Sequence, residues 1–419
     1  MRFVYICLAY LLAPVVAGAL ALRGFRDRSH WQGFSQRFGF GSTVARRSIW
    51  VHAVSVGEVQ AAVPLVEALL KRFPDIPLVL TTVTPTGRAR AQFVFGTRVE
   101  VRYVPIDLPG SVRRFFTRVQ PQLAIILETE IWPNLYHRCG RLGVPLVLAS
   151  ARISPRSVKN YRRLVGLFRE TLSHGIFIAA QSAADAERFR SIGANPEHTH
   201  VVGNIKFDYS HPANIEAKGA ANRRSLGPDR PVWVAGSTHA REEDVLLAAH
   251  RLLRTRHPQT LLVLVPRHPP RFGEVADALK EQGVKFVTFT SGAAIAEDTE
   301  VFLVNTLGEL LGFYAAADVA FVGGSLVPIG GHNLLEPLSL GLPTLSGPNT
   351  FNAADISKLL VECGAVRIVH DAAELAAAIG ALLADPAARS QMGASGRKAI
   401  EDNRGAVGRL MRFLEPLLP

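Results

Sequence analysis

The feature that most limits how this chain can fold is an alternation, repeated in two halves, of short apolar runs with helical patterns. The first half carries "SIWVHAV", "PLVLTTV", "VEVRYVP", "LAIILE", "PLVLAS" and "GIFIAA". The second carries "PVWVAG", "TLLVLV", "VKFVTF", "VFLV", "VAFVGG" and "LPTL". Strands that are apolar on both faces need cover on both faces, and the intervening helices supply it, so the pattern reads as α/β with parallel sheets. A chain of 419 residues is too long for one compact core and suits two domains. The expectation is two doubly wound, Rossmann-like domains facing a cleft. Residues 29–210 form the first and 231–400 the second. A polar linker, 211–230, joins them, and 401–419 forms a closing amphipathic helix.

In open sheets of this kind ligands bind beyond the carboxyl ends of the strands, and nearly every polar cluster here follows a strand-like run. In the first half these are "SVGE" (55–58), "TPTGR" (84–88), "ETEIWPN" (128–134) and "ARISPRS" (151–157). In the second they are "GSTHAREED" (236–244), "PRHPPRF" (266–272) and "GGSLVPIGGHN" (323–333).

Composition excludes several classes. Three cysteines without paired spacing argue against a disulfide framework and a cysteine-rich zinc site. The histidines include no HExxH, and neither a metal site nor a cofactor is expected. A formal net charge of +12 points to acidic partners. With aromatics at 8% and no zinc-finger or RNP-like motif, nucleic acid is not expected among them.

Residues 3–22, "FVYICLAYLLAPVVAGALAL", hold no charge and are long enough to cross a bilayer. Ala17-Gly18-Ala19 resembles a signal-peptide cleavage site. Only Arg2 precedes the segment, however, while Arg23, Arg26 and Arg28 follow it. That bias keeps the bulk of the chain in the cytoplasm. Residues 1–28 are therefore expected to be a retained anchor with a basic flank.

Glu58, at the start of the helical pattern "VQAAVPLVEALL", either favours the helix dipole or acts as a general base for an acceptor hydroxyl. Glu128 and Glu130 add two carboxylates that can orient an acceptor, stabilise a developing cation or cap a helix. Ser237 and Thr238, after Gly236, suit a phosphate or an ordinary N-cap. Arg267 and His268, with Arg271, sit on a proline-stiffened loop where cations can grip a phosphate or carboxylate; Lys206 in "GNIKFD" is a similar case. In the last cluster Gly323, Gly324 and Ser325 permit close approach of backbone to an anion, and Gly330-Gly331 permits positive φ. Asn333 and Glu336 have capping-box spacing, which explains neither the glycines nor His332. The functional reading puts Glu336 on ribose hydroxyls and the loop amides on phosphate.

Together these stretches resemble the 3-deoxy-D-manno-octulosonate (Kdo) transferase family of lipopolysaccharide core synthesis. The words that carry it are "HAVSVGE", "TPTGRARA", "ETEIWPN", "ARIS", "GNIKFD", "AGSTHAREE", "VPRHPPRF" and "GGSLVPIGGHNLLEP", in order from about residue 30 to 350. One departure is Asn305, where the family usually has an acidic residue before the threonine of "VNTLGELLGFY". The resemblance implies a GT-B architecture and a metal-independent, inverting glycosyltransferase. It implies transfer of Kdo from CMP-Kdo to the 6'-hydroxyl of the lipid A precursor (lipid IVA) at the cytoplasmic face of the bacterial inner membrane. Glu58 matches the general base, and Glu128 or Glu130 a second active-site carboxylate. Lys206, Arg267 and the 323–336 loop match donor-binding elements. Ser55, Thr86, Arg88 and Arg152 are assigned to the acceptor, and the basic flank to an anionic lipid surface. The rival enzyme reading is a GT-B transferase using a UDP-sugar in lipid A or peptidoglycan synthesis. A membrane-tethered binding protein without turnover and a periplasmic protein released by cleavage are the others.

Overall fold

The structure, a computed structural model, describes residues 2–162, 165–172 and 175–418. Met1 and Pro419, the outermost residues of the expected anchor and closing helix, lie outside them. The chain divides into two compact units: Met1–Asp208 with Asn403–Pro419, and Tyr209–Asp402.

Among the described residues each unit is built on one seven-stranded sheet. In the first the strands are β1 (Ser48–His52), β2 (Leu78–Thr82), β3 (Glu100–Tyr103), β4 (Pro121–Leu127), β5 (Leu146–Ala151), β6 (Ile176–Ala180) and β7 (Thr199–Val201). They lie in the order β3-β2-β1-β4-β5-β6-β7, and every pairing is parallel. The second unit contains β8 (Val232–Thr238), β9 (Leu261–Pro266), β10 (Phe286–Thr288), β11 (Val301–Leu303), β12 (Val319–Val322), β13 (Thr344–Ser346) and β14 (Val366–Ile368). Their order is β10-β11-β9-β8-β12-β13-β14, again all parallel. The twelve apolar runs read from the sequence are twelve of these strands; β7 and β14 are added at the sheet edges.

Local chemistry sets the strand–helix corners. Helices Pro85–Phe95, Pro109–Val119 and Pro133–Leu142 each open with a proline, whose fixed φ and missing N–H suit a first helical position. The last closes on Gly143 in the left-handed region, φ 64°. Helices then cover both faces of the sheet. Trp50 of β1 meets Phe115 and Phe116 edge-on in one layer, and Ile49 and Val51 point into the other with Val59, Leu65 and Leu69.

Two segments differ from the sequence reading. The expected linker 211–230 holds helix Ile215–Leu226, which belongs to the second unit. Its ends Ile215 and Leu226 are buried, and Gly219 sits where a Cβ would come within 2.6 Å of the Ala315 Cβ. The closing helix, Ala406–Leu414, belongs to the first unit. It buries Ala406, Leu410, Met411 and Leu414 in the layer that also holds helix Val56–Arg72.

Each sheet has one point where the chain direction of the strand order reverses. In the first unit it lies between β1 and β4, in the second between β8 and β12. Loops leaving the carboxyl ends of neighbouring strands diverge at such a point, and a crevice opens.

Candidate active site

Glu58 and Glu128 flank the reversal point of the first unit. Glu58 is the third residue of helix Val56–Arg72, just beyond β1. The Val54 N–H donates to its Oε2 at 2.9 Å. So one oxygen does cap the helix start, while Oε1 makes no hydrogen bond among the described residues. Burial and the neighbouring charges of Glu128 and Glu130 raise the carboxyl to about 8, against the opposing pull of the Val54 N–H and Lys206.

Glu128 follows β4 with φ 56°, a left-handed conformation that a non-glycine residue adopts only under local constraint. Its N–H donates to the Ala149 carbonyl, and its Oε1 meets Lys206 Nζ at 2.6 Å. Lys206 itself is oriented through Asn204, whose Oδ1 accepts the Lys206 N–H and whose amide donates to Gln181. Lys206 thus lies in the first unit, paired with Glu128. Glu130 is raised by burial, with the Trp132 indole working against the shift and Glu128 adding to it. The Tyr136 hydroxyl donates to the Glu130 carbonyl.

A cavity of about 290 Å³ opens on these groups, lined by Glu58, Glu128, Glu130, Arg152, Ser157 and Tyr161 among others. It gathers three carboxylates, a guanidinium and hydroxyls at the carboxyl edge of one sheet. Of the acceptor candidates only Arg152 lines it. Arg88 donates to the Gln32 carbonyl at 3.0 Å and lies over the Tyr103 ring. Thr86 Oγ1 donates to Thr84, and Ser55 occupies the N-cap position before Glu58.

In the second unit the glycines serve the protein itself. Gly323 and Gly236 join β12 to β8 where they leave the sheet: the Gly323 N–H donates to the Gly236 carbonyl at 2.8 Å. A Cβ on Gly236 would meet Tyr314 Oη at 2.1 Å, and one on Gly323 would meet Glu242 Oε2 at 2.7 Å. Glu242 is fully buried. Its carboxylate accepts the N–H groups of Gly324 (2.7 Å), Ser325 (3.0 Å) and Leu326 (2.9 Å), with a longer contact from His239. The amides that the sequence reading reserved for a ligand anion therefore hold an anion already, one supplied by the fold. Two further candidates are occupied within the fold. Thr238 is buried with its hydroxyl on Glu243, and Ser325 is buried with its hydroxyl donating to Val322 O and accepting from Gly347 N.

What remains accessible is a cluster around His332. His332 Nε2 lies 2.8 Å from His239 Nε2, the two rings are near-parallel, and His268 stands edge-on to His239. Burial lowers all three; neighbouring histidines and Arg267 add to the shifts of His239 and of His332, which falls to about 3, and Arg267 alone adds to that of His268. Neutral imidazoles beside a guanidinium are ready to take protons when an anion arrives. Gly330 and Gly331 have φ 106° and 75°, as the loop requires. Asn333 Oδ1 accepts the Leu335 N–H, and its Nδ2 donates to Glu336 Oε1 at 3.2 Å. Asn305 pairs with Thr290 through both ends of its amide, a structural contact. Ser237, at the bulge between Gly236 and Thr238, has φ 58° and is part-exposed.

Sequence reasoning passed over His239 and Glu242, although both stand in a quoted cluster. For His239 the signal was its place just after a strand end. For Glu242 no signal existed, because its partners lie more than eighty residues on. No three His, Cys, Asp or Glu side chains converge on a point that could hold a metal ion among the described residues.

Residues 32–209 match the family model described as 3-Deoxy-D-manno-octulosonic-acid transferase (kdotransferase), and residues 235–399 match that described as Glycosyl transferases group 1. The 3-deoxy-D-manno-octulosonic acid transferase of Haemophilus influenzae is 39% identical, with 100% of this chain and 99% of that one aligned. Its namesake from Bordetella pertussis is 36% identical over the same shares. The crystal structure of UDP-GlcNAc 2-epimerase from Neisseria meningitidis superposes with a TM-score of 0.59 at 13% identity, covering 88% of this chain and 100% of that one, a likeness in fold.

Proposed function

The chain belongs to the 3-deoxy-D-manno-octulosonic-acid (Kdo) transferase family, glycosyltransferases of the GT-B fold, and from that premise we propose that it transfers Kdo from CMP-Kdo to the 6'-hydroxyl of the lipid A precursor, with inversion. The observation that carries the reading is the placement of Glu58. Its carboxylate lies at the reversal point of the first sheet, in a cavity with Glu128, Glu130 and Arg152, and is raised to about 8.

A carboxylate with a pKa near the working pH is a competent proton acceptor, because its ionised fraction and its basicity are both appreciable. In the proposed step Glu58 Oε1 takes the proton of the acceptor hydroxyl. The hydroxyl oxygen bonds to the anomeric carbon of Kdo as the bond to the CMP phosphate breaks, and CMP departs with the electron pair. One base and one displacement give inversion. Glu128, paired with Lys206 and lining the cavity, is suited to favour the cationic character that develops on the sugar ring. Arg152, which lines the same cavity, is suited to an acceptor phosphate.

On the donor side, Arg267 and the neutral His239–His332 pair are suited to the phosphate of CMP, which gains charge as it leaves. Glu336 is suited to the ribose hydroxyls. Donor carboxylate and acceptor phosphates together also suit a chain of net charge +12. Helix Arg2–Arg26, the one helix among the described residues long and apolar enough to cross a membrane, is proposed to hold the enzyme at the inner membrane where its acceptor resides.

The test is donor choice. Detergent-solubilised protein with the lipid A precursor is given CMP-Kdo or, separately, UDP-glucose and UDP-N-acetylglucosamine, and the lipid is read by mass spectrometry. Addition of Kdo from CMP-Kdo alone supports the reading. Addition of a hexose from a UDP-sugar, with none from CMP-Kdo, overturns it.

A further inference from the structure

Three imidazoles and a guanidinium gather in the second unit where β8, β9 and β12 release the chain. His239 follows β8, Arg267 and His268 follow β9, and His332 ends the glycine loop beyond β12. Backbone bonds fix His332 in place. Its N–H donates to the Gly323 carbonyl at 3.2 Å, and the Gly331 N–H donates to the Gly324 carbonyl at 2.8 Å. Its ring lies so close over Gly324 that a Cβ there would meet Cδ2 at 2.9 Å and Nε2 at 3.0 Å. The Gly324 N–H belongs to the Glu242 cradle, so this imidazole rests on backbone that a buried carboxylate anchors.

His239 Nε2 and His332 Nε2 are 2.8 Å apart, a hydrogen-bond length. The ring centroids are 5.0 Å apart and the planes differ by 5°, so the rings meet edge to edge with the two nitrogens between them. Such a bond needs a proton on one nitrogen and a lone pair on the other. One ring of the neutral pair therefore carries its proton on Nε2, which leaves its Nδ1 bare, and the other carries its proton on Nδ1. Neither Nδ1 has a hydrogen-bond partner among the described residues. An added proton goes to the bare Nδ1 without disturbing the bond. The pair then holds a single positive charge and offers an outward N–H from each ring. A second added proton would set two N–H groups face to face, so the capacity is one.

The surroundings keep that proton away until an anion brings it. Arg267, His268 and Arg271 face His239, while His239, Arg267 and His268 face His332. The carboxylates of the adjoining elements have other partners. Glu242 accepts the loop amides, Glu243 pairs with Arg271 and Thr238, and Glu336 accepts from Asn333. Burial first, and then these neighbours, hold His332 at about 3 and His239 below its ordinary value.

We propose that the His239–His332 pair takes up one proton as the phosphate of CMP binds, and that the charged pair then holds this phosphate together with Arg267. The inference rests on the reading that the donor is a CMP-sugar, and it deepens that reading by assigning the donor site a proton. A phosphate supplies the opposite charge that the pair lacks and so raises its affinity for a proton; by linkage the proton tightens the phosphate in return. The phosphate gains negative charge as the sugar leaves, so the charged pair favours departure. Over one turnover this site balances, because the proton comes from solvent as the donor binds and returns as CMP dissociates. The proton released overall is the one that Glu58 takes from the acceptor hydroxyl.

Calorimetry of CMP binding to the detergent-solubilised full chain, near neutral pH, is run in PIPES, HEPES and Tris, whose ionisation enthalpies differ. Above about pH 6 the CMP phosphate has lost its second proton, so protons taken up go to the protein. The dependence of binding enthalpy on buffer should show uptake of about one proton by wild type and almost none by His239→Gln or His332→Gln. The wild-type dissociation constant should rise about tenfold per pH unit from neutrality to the midpoint of the complex, and far less in the variants. Wild type that binds CMP without proton uptake overturns the proposal and leaves the donor reading standing. Undiminished uptake in both variants, folded as wild type by circular dichroism, also overturns it. Where the variants do not fold, wild type alone decides: uptake with a rising dissociation constant supports the proposal, and a level one from about pH 7 to 8.5 contradicts it. No binding of CMP, with UDP bound in its place, removes the CMP-sugar reading and this inference together.

Discussion

Glu58 shows how a residue can satisfy a structural and a chemical role at once. One oxygen closes the helix start on Val54 and the residue lines the cavity, so the capping carboxylate and the proposed general base are the same group. Because burial and Glu128 raise it to about 8, the base is protonated below that value and ionised above it. We expect kcat/KM to rise with pH through about 8 before any second group limits it. Lys206→Met should move this midpoint up, since Lys206 lowers the Glu58 pKa, and Glu128→Gln should move it down, since Glu128 raises it. Identical profiles in all three proteins would remove Glu58 from the reaction. On the donor side, Glu336→Ala should weaken CMP binding by calorimetry about tenfold, of order 1.4 kcal/mol, with acceptor KM unchanged. The sequence made Glu58 legible through its place after a strand. It could not show that Lys206 pairs with Glu128, because the two meet across seventy-eight residues. Nor could it show that Glu242 fills the amide cradle, for the same reason of distance.

At the scale of elements, apolar periodicity carried the fold, and it failed where strands are short and lie at an edge. β7 reads "THV" with His200 and Val201 exposed, and β14 reads "VRI" with Arg367 exposed. An edge strand with one covered face has no continuous apolar run to display. Helix Ile215–Leu226 has the polar composition of a linker; only Ile215, Gly219 and Leu226 are buried, too few to mark a period. The Glu242 cradle belongs to this scale, since it ties the helix starting at Glu242 to the loop leaving β12. Glu242→Ala should leave the buried Gly324 and Ser325 N–H groups and the half-buried one of Leu326 without an acceptor, at about 1–3 kcal/mol for each buried group before relaxation. Thermal unfolding is expected to fall by many degrees, and by far less for Glu242→Gln. Equal melting temperatures for wild type and Glu242→Ala would show that the loop finds other partners.

For the whole molecule, charge and the apolar helix act together. The net charge of +12 draws the chain to an anionic surface, and such attraction falls with salt because the Debye length shrinks from about 10 Å at 0.1 M to about 3 Å at 1 M. Transfer to acceptor embedded in anionic vesicles should therefore slow as potassium chloride rises, while transfer to detergent-dispersed acceptor should change less. Equal salt dependence in the two assays would place the effect in the active site and not at the membrane. The central claim remains a reaction with one base. The most direct measurement is CMP release from CMP-Kdo by solubilised protein, with and without the lipid A precursor, for wild type and Glu58→Gln side by side. The expected result is release that requires acceptor and falls at least about a hundredfold in the variant, with CMP binding retained. Acceptor-dependent release that survives in Glu58→Gln would contradict it, and would move the base to Glu128 or Glu130.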